Sequence, residues 1–442
     1  MLVNIHKLKL TLLFLVALST VEPTFAQVWT LKQCLDTAQV NNKNLQMNQN
    51  NIELSNQKHK EAIANLVPKI NVFADYKYYS EQPTQLMPLS IFGGPEGKFK
   101  EAQFGVPHNI NANLQLLLPL YNPQIYGAIT TTGIASELSE LQYKKTEEQI
   151  FYEITNLFYN AQILQNQLLF IDSNIVNTSK LLRNLKLLNE QLMVKATDVS
   201  KVQLQMEQLN TQKDQITSKY KQVMNALKFT MGISINQNIE IETKIEFQNN
   251  IEYSKSTTID IQLVETQKRL LKSELNTLQF SKLPTISAFG TYGQTGLGYD
   301  EKPNDFLNFY PVSFVGVQLT YPLFAGTVTQ RKINQKKIEL KNSDLLFNLQ
   351  TEQNSMLTEN ADRQRNVAQK TISNSTNQIK LAQTIYSQTL LQQKEGTATL
   401  TDVLLADNSL REAQQNYLSA IIEYLKADLE LKKISGNILN EN

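Results

Sequence analysis

Two hydrophobic rhythms run along this chain, and each appears twice. The first has period two. Ile70, Val72, Ala74, Tyr76 and Tyr78 oppose Asn71, Asp75 and Lys77, with Phe73 the one apolar residue on the polar side. Ile110, Ala112, Leu114, Leu116 and Leu118 oppose Asn111, Asn113 and Gln115 in the same way. Alternation of this kind predicts half-buried strands over 69–80 and 109–118. Two later segments, 285–293 and 312–321, read alike; in the second, Val315, Val317, Leu319 and Tyr321 face away from Gly316, Gln318 and Thr320. The second rhythm alternates steps of four and three. It runs through Ile150, Ile154, Leu157, Ala161, Leu164, Leu168 and Ile171, and resumes at Val199, Val202, Met206 and Leu209. It returns as Val403, Ala406, Leu410, Ala413, Tyr417, Ala420, Tyr424, Ala427, Leu431 and Ile434. A mean step of about 3.5 residues predicts helices that wind around one another left-handedly. A weaker seam, Ile372, Ile379, Ala382 and Tyr386, marks one more helix.

The order of these elements is duplicated. Pro68 recurs as Pro284, Pro119 as Pro322, Asp198-Val199 as Asp402-Val403, and Gly232 as Gly436, at separations of 216, 203, 204 and 204. Four landmarks in one order indicate an internal repeat. Each half reads helix, strand, loop, strand, long helix, turn, helix. The first covers 27–232, with an opening helix over 31–66 and a helical hairpin over 122–232. The second covers 259–442, with an opening helix over 259–283 and a hairpin over 327–436. Residues 233–258 are polar and aperiodic and are read as a strap between the halves. Glycine and proline clusters between the strands predict loops, including Gly296 and Gly298. No helix follows those two glycines, which excludes a phosphate-cradling turn. A helix of about 70 residues extends about 105 Å at the standard rise, so two shorter helices stacked end to end match one long one.

Each hairpin has a turn, read at Gly396 and at Lys195. Glycine stops the descending helix, and Thr401 or Asp402 is placed to cap the returning one. The tips Lys195-Ala196-Thr197 and Gly396-Thr397-Ala398 are built of small side chains.

Composition narrows the class. The chain has 442 residues, 41% hydrophobic and 19% charged, with a net charge of +1. That balance does not point to nucleic acid. One cysteine, Cys34, excludes an internal disulfide or a multi-cysteine zinc site. The first 26 residues read as a signal peptide: Lys7 and Lys9, an apolar run from Leu10 to Leu18, then Thr24-Phe25-Ala26. Cys34 lies eight residues beyond, after Lys32-Gln33, and reads as an ordinary thiol and not a lipid attachment site. No later segment approaches the twenty apolar residues of a membrane helix. An exported chain without such a helix is either soluble or inserted as a β-barrel. His59 and His108 have no nucleophile or carboxylate constellation near them, and Glu147-Glu148 face different sides of a helix. Neither an enzyme nor a bound cofactor or metal is expected.

The segment GTATLTDVLLADNSLREAQQNYLSAIIEYLKADLELKKISG, with Gly396, Asp402, Tyr417, Tyr424 and Gly436, resembles the TolC-like outer-membrane efflux family. Pro68, Pro119, Pro284 and Pro322 resemble that family's strand–helix junctions. The resemblance implies a mainly α protein with a membrane β-barrel: a trimeric, twelve-stranded barrel in the Gram-negative outer membrane, continuous with a helical tunnel across the periplasm. It implies a homotrimer served by a periplasmic adaptor and an inner-membrane transporter. The strand count agrees independently, because four strands cannot close a barrel and three copies supply twelve. Tyr76, Tyr78, Tyr121, Tyr292, Tyr310 and Tyr321 are candidates for an aromatic girdle. By resemblance, Asp402 constricts the pore and Asp198 joins the network at the closed tip, while Lys195, Ala196, Thr197, Gly396, Thr397 and Ala398 meet the adaptor. Gln393, Ala398 and Leu405 stand where that network has a tyrosine, an arginine and a second aspartate. A secreted coiled-coil or adhesin-like protein explains the seams but not the four strands; a pore-forming toxin is the third reading.

Overall fold

The computed structural model describes residues 28–246, 252–254, 256–299, 308–324 and 326–439. The proposed signal peptide and Pro303 of the second loop lie outside them. In chain order the elements are β1 (Val28–Trp29), α1 (Leu31–Asn41), α2 (Lys43–Ala64), β2 (Lys69–Tyr78), β3 (Thr84–Pro88), a one-turn 3₁₀ helix (Leu89–Phe92), β4 (Phe99–Gln103), β5 (His108–Tyr121), α3 (Pro123–Glu190) and α4 (Ala196–Met231). Then follow β6 (Glu240–Ile241), α5 (Ile259–Phe280), β7 (Thr285–Gly298), β8 (Asn308–Thr320), α6 (Val328–Lys394) and α7 (Leu400–Ile434). Both hairpins thus lie where the seams place them. α3 begins on Pro123, at the helical position where a missing N–H leaves nothing unsatisfied.

Three expectations are corrected. The opening helix 31–66 is two helices, because Asn42 breaks it. The Asn42 side chain donates to the Thr230 carbonyl (2.6 Å) and accepts from the Asn44 and Leu45 amides (2.8 and 3.2 Å). One buried asparagine thereby starts α2 and anchors the break to α4. The third strand does not stop at 293; it runs to Gly298, so Gly296 and Gly298 are strand residues and not loop. The loop between the first two strands contains a hairpin, β3 paired with β4. Its irregular spacing of apolar residues concealed it.

The chain forms two compact units, each drawn from both halves of the repeat. One comprises residues 28–50, 141–262 and 348–439. Its core gathers Cys34, Ala38 and Leu45 with Ile154, Phe158 and Ala161 of α3 and Leu227 and Met231 of α4. The strap residues Ile239 and Ile241 enter that core, and β6 pairs in parallel with β1. Gln162 of α3 donates to the carbonyls of Glu242 and Lys244, both at 2.9 Å, and so ties the strap down. A second cluster joins Ile163 of α3, Ala368 and Ile372 of α6, and Leu418, Ile421 and Tyr424 of α7. The weak seam of α6 is buried as predicted at Ile372, Ala382 and Tyr386, and small residues extend it at Ala361, Ala368 and Ser375. Each fully buried large side chain contributes roughly 1.5–3 kcal/mol.

The other unit comprises residues 51–140 and 263–347. It holds an antiparallel sheet in the order β2-β5-β7-β8. The register aligns Val72 with Leu114, Leu114 with Tyr292, and Tyr292 with Ser313, so the apolar sets of all four strands share one face. Asn71, Asp75, Asn111, Asn113, Gln115, Thr291, Thr295 and Gln318 share the other. The apolar face is open, with Val315 89% exposed. The polar face is notched at two glycines. A Cβ on Gly293 would collide with the Asn113 side chain, and one on Gly316 would lie 2.7 Å from the Phe289 ring. Beside the sheet, Arg269–Glu137 (2.6 Å) and Lys336–Glu274 (2.8 Å) pair the helices of this unit. Among the described residues, no helix is long and apolar enough to cross a membrane.

Candidate functional site

The candidate site is the pair of hairpin tips and the polar cluster above them. Both tips close in the same way. In the second, Gly396 adopts φ 74°, its N–H reaches the Gln393 carbonyl (3.1 Å), and the Thr397 N–H reaches that of Gln392 (2.9 Å). In the first, Leu192 adopts φ 59°, its N–H reaches Asn189 (2.9 Å), and the Met193 N–H reaches Leu188 (2.9 Å). Each is a helix stop with one left-handed residue. Leu192 is the residue equivalent to Gly396 in the 204-residue repeat. The pairing of Lys195 with Gly396 is therefore three residues out. Gly396, Thr397 and Ala398 form the second turn. Lys195 instead is the N-cap of α4, with Ala196 and Thr197 in its first turn. The first turn is Leu192-Met193-Val194, and it presents large apolar side chains: Leu192 is 93% exposed and Met193 68%. A leucine in a glycine conformation gave no composition signal; only the repeat offset could have found it.

The two aspartates occupy equivalent places with different partners. Thr399, and not Thr401 or Asp402, caps α7. Its hydroxyl oxygen accepts from the Asp402 N–H (3.3 Å), and the Asp402 carboxylate accepts from the Thr399 N–H (2.8 Å) and hydroxyl (2.7 Å). This reciprocal capping box holds the Asp402 carboxyl below its ordinary range, mainly through the Thr399 hydroxyl and then the Thr399 amide. Asp402 stays ionised and solvent-facing at neutral pH. Asp198 lacks such a cap, because Lys195 offers no side-chain acceptor. It is half-buried and pairs with Lys201 at 3.3 Å. Leu405 and Ala398 do not compensate: Leu405 is exposed and Ala398 lies in the turn.

Further along α7 lies a cluster that sequence reading missed. Asp407 is buried. Its carboxylate accepts from the Gln205 amide of α4 and from the Arg411 guanidinium one turn on. Burial raises its pKa, and Arg411 and Gln205 oppose that shift. Tyr386 of α6 is held above its ordinary range by burial first and the nearby Asp407 second. Two turns beyond, the Asn174 amide of α3 donates to the buried Gln414 of α7 at 3.0 Å. Toward the tips, the side-chain bonds Gln205–Asp407 and Asn174–Gln414 therefore tie the first hairpin to the second. Asp407 and Arg411 stand four apart in the sequence, a readable pair; Gln205, two hundred residues away, is not.

The remaining candidates are structural. Cys34 is fully buried in the helical core, and burial pushes its thiol up to about 12. Of the girdle tyrosines, Tyr76, Tyr78 and Tyr310 lie toward the loop ends of β2 and β8 and Tyr121 and Tyr321 at the helix ends of β5 and β8, whereas Tyr292 lies in the middle of β7, and Tyr310, paired with Thr295, is on the polar face and not with the apolar set.

Residues 260–437 match the family model described as outer membrane efflux protein. No curated protein matches the chain. Among solved structures, the outer membrane protein VceC from Vibrio cholerae is 14% identical over 92% of this chain and 96% of its own, with a TM-score of 0.74. The Campylobacter jejuni CmeC outer membrane channel is 13% identical over 92% and 85%, with a TM-score of 0.74. The Neisseria gonorrhoeae MtrE outer membrane channel, in its open state, is 13% identical over 92% and 89%, with a TM-score of 0.73. At these identities the likeness is one of fold.

Proposed function

We propose, from the premise that through residues 260–437 this chain belongs to the outer membrane efflux protein family, that it is the outer-membrane duct of a tripartite efflux or type I secretion system. It conducts cargo passively from an inner-membrane transporter, through a periplasmic adaptor, to the outside of a Gram-negative cell. The observation that carries the reading is the four-stranded sheet. Its β2 and β8 edges are unpaired among the described residues, and its apolar face is open. Lipid tolerates neither open edges nor unsatisfied backbone. Three copies joined edge to edge give twelve strands, apolar outward and polar inward, and enough width for a lumen.

In this reading the tips face the periplasm. Asp402 lines the constriction: it is ionised and projects into solvent, and three copies around one axis favour cations. Asp198, at the equivalent position of the first hairpin, joins the network at the tip and pairs with Lys201. The adaptor meets Gly396, Thr397 and Ala398 together with Lys195, Ala196 and Thr197, and the exposed Leu192 and Met193 add apolar area. Gln205–Asp407 and Asn174–Gln414 hold the two hairpins together near the tip. Outer-membrane fractionation followed by planar-bilayer recording tests the proposal. A membrane-integral protein giving discrete conductance steps supports it. A water-soluble monomer that leaves bilayers silent refutes it.

A further inference from the structure

The duct reading leaves open what the barrel wall selects, and the polar face of the sheet bears on it. That face carries three charged side chains in the described strands, Lys69, Asp75 and Lys77. Asp75 and Lys77 neutralise one another at 3.1 Å. Lys69 sits at the helix end of β2 and donates to the Asn65 side chain at 3.1 Å. Everything else polar there is an amide or a hydroxyl. A bonded row crosses three strands: the Asn111 amide donates to Asp75 (3.3 Å), and the Thr295 hydroxyl donates to the Asn111 carbonyl oxygen (3.0 Å). Among these groups stand flat aromatic surfaces. Phe289 lies over the notch at Gly316 and meets Phe314 edge-on, with ring centroids 6.2 Å apart.

We infer, resting on the duct reading, that from its loop end down to the level of Lys69 at its helix end the barrel lumen is an electrically neutral wall of amides, hydroxyls and phenyl faces, suited to uncharged amphipathic cargo bearing hydroxyl and aromatic groups. Amides and hydroxyls both donate and accept hydrogen bonds, so they exchange with the hydration shell of a neutral polar solute. Phenyl faces take the apolar part of the same molecule. A ring of uncompensated charge would instead focus a potential of several kT and sort ions by sign. Selection by charge is thereby confined to Lys69 at the helix end of the sheet and to Asp402 at the tip.

The test uses the full-length protein in proteoliposomes, with reagents added on the loop side. Cys34 is buried and stays silent. Asn113→Cys and Gln115→Cys place thiols on the polar face, and Leu114→Cys and Leu116→Cys on the apolar face. Cationic and anionic methanethiosulfonates are compared, each rate divided by its rate on a free thiol. The expected result is modification at 113 and 115 with a cation-to-anion ratio within about twofold of unity, and none at 114 and 116. Asn111→Asp added to Asn113→Cys should move the ratio about tenfold toward cations. The neutral p-nitrophenyl glucoside should slow modification at 113, while citrate and spermine should not. A ratio of tenfold or more in the unaltered wall, or protection by the ions and not the glucoside, overturns the inference and leaves the duct standing. Modification at 114 and 116 in place of 113 and 115 overturns both.

Discussion

Replacing Asp407 by alanine is the most informative single change in the helical unit. The side chain is buried, and it is the shared acceptor for Gln205 and Arg411. Its loss leaves a guanidinium mostly out of solvent with no carboxylate, and an amide with no acceptor. Breaking a fully buried pair costs 3–5 kcal/mol; Arg411 retains some solvent access, so about 2–3 kcal/mol is expected here. That is roughly a 30- to 140-fold increase in the local opening equilibrium, at tenfold per 1.4 kcal/mol. Native-state hydrogen exchange reads this directly in peptides covering 203–210 and 403–412, with the Asn42 junction as an unaffected reference. A double variant, Asp407→Leu with Arg411→Leu, should recover most of the loss, because apolar replacement of a whole buried pair is often neutral. Exchange of Asp407→Ala within twofold of the parent, or a double variant as labile as the single, would refute the reasoning.

At the first tip, Leu192→Gly should stabilise by up to about 1 kcal/mol, since a left-handed leucine costs roughly 1–2 kcal/mol and glycine returns part of that as chain entropy; thermal unfolding of purified protein checks it. The same substitution removes exposed apolar area, so adaptor cross-linking should fall while stability rises, and a parallel fall in both contradicts the docking role. Gly396→Val should destabilise the second tip by about 1–2 kcal/mol, read as faster local exchange. pH separates the two aspartates. Asp402 has a lowered pKa, so its contribution is present above the ordinary carboxylate range and lost as pH falls through its folded value; Asp407 has a raised pKa, so its contribution falls as pH climbs from the ordinary value of 3.8 to its folded value. Exchange at the α7 cap and at 403–412 between pH 7 and pH 3 should therefore shift in opposite senses. Asp402→Ala should reduce cation preference in single-channel recordings; unchanged conductance and selectivity count against the constriction.

The periodic parts of the fold were legible in the sequence. Strands announce themselves where one face is apolar and the other polar, as at Ile70–Tyr78, and seams where the step averages about 3.5 residues, as at Val403–Ile434. What escaped was set by tertiary contacts. Asn42 reads as one more polar residue in a polar helix until its bond to Thr230 is seen. Gly296 and Gly298 read as loop residues, yet they pair with Ile110 and His108 of β5. At the site, Gly396 was readable because glycine signals a left-handed stop, whereas Leu192 in the same conformation was not. The Asp407–Arg411 pair was local, but its meaning depends on burial and on Gln205.

The central claim is that three copies close one sheet by joining the β2 edge of each to the β8 edge of the next. Cysteines at Ala74 of β2 and Val315 of β8, bridged by a short flexible bifunctional reagent in outer membranes, test it most directly. The account predicts covalent species of two and three chains and none larger, because a ring closes at three. A ladder continuing past three, or only single chains, would contradict it.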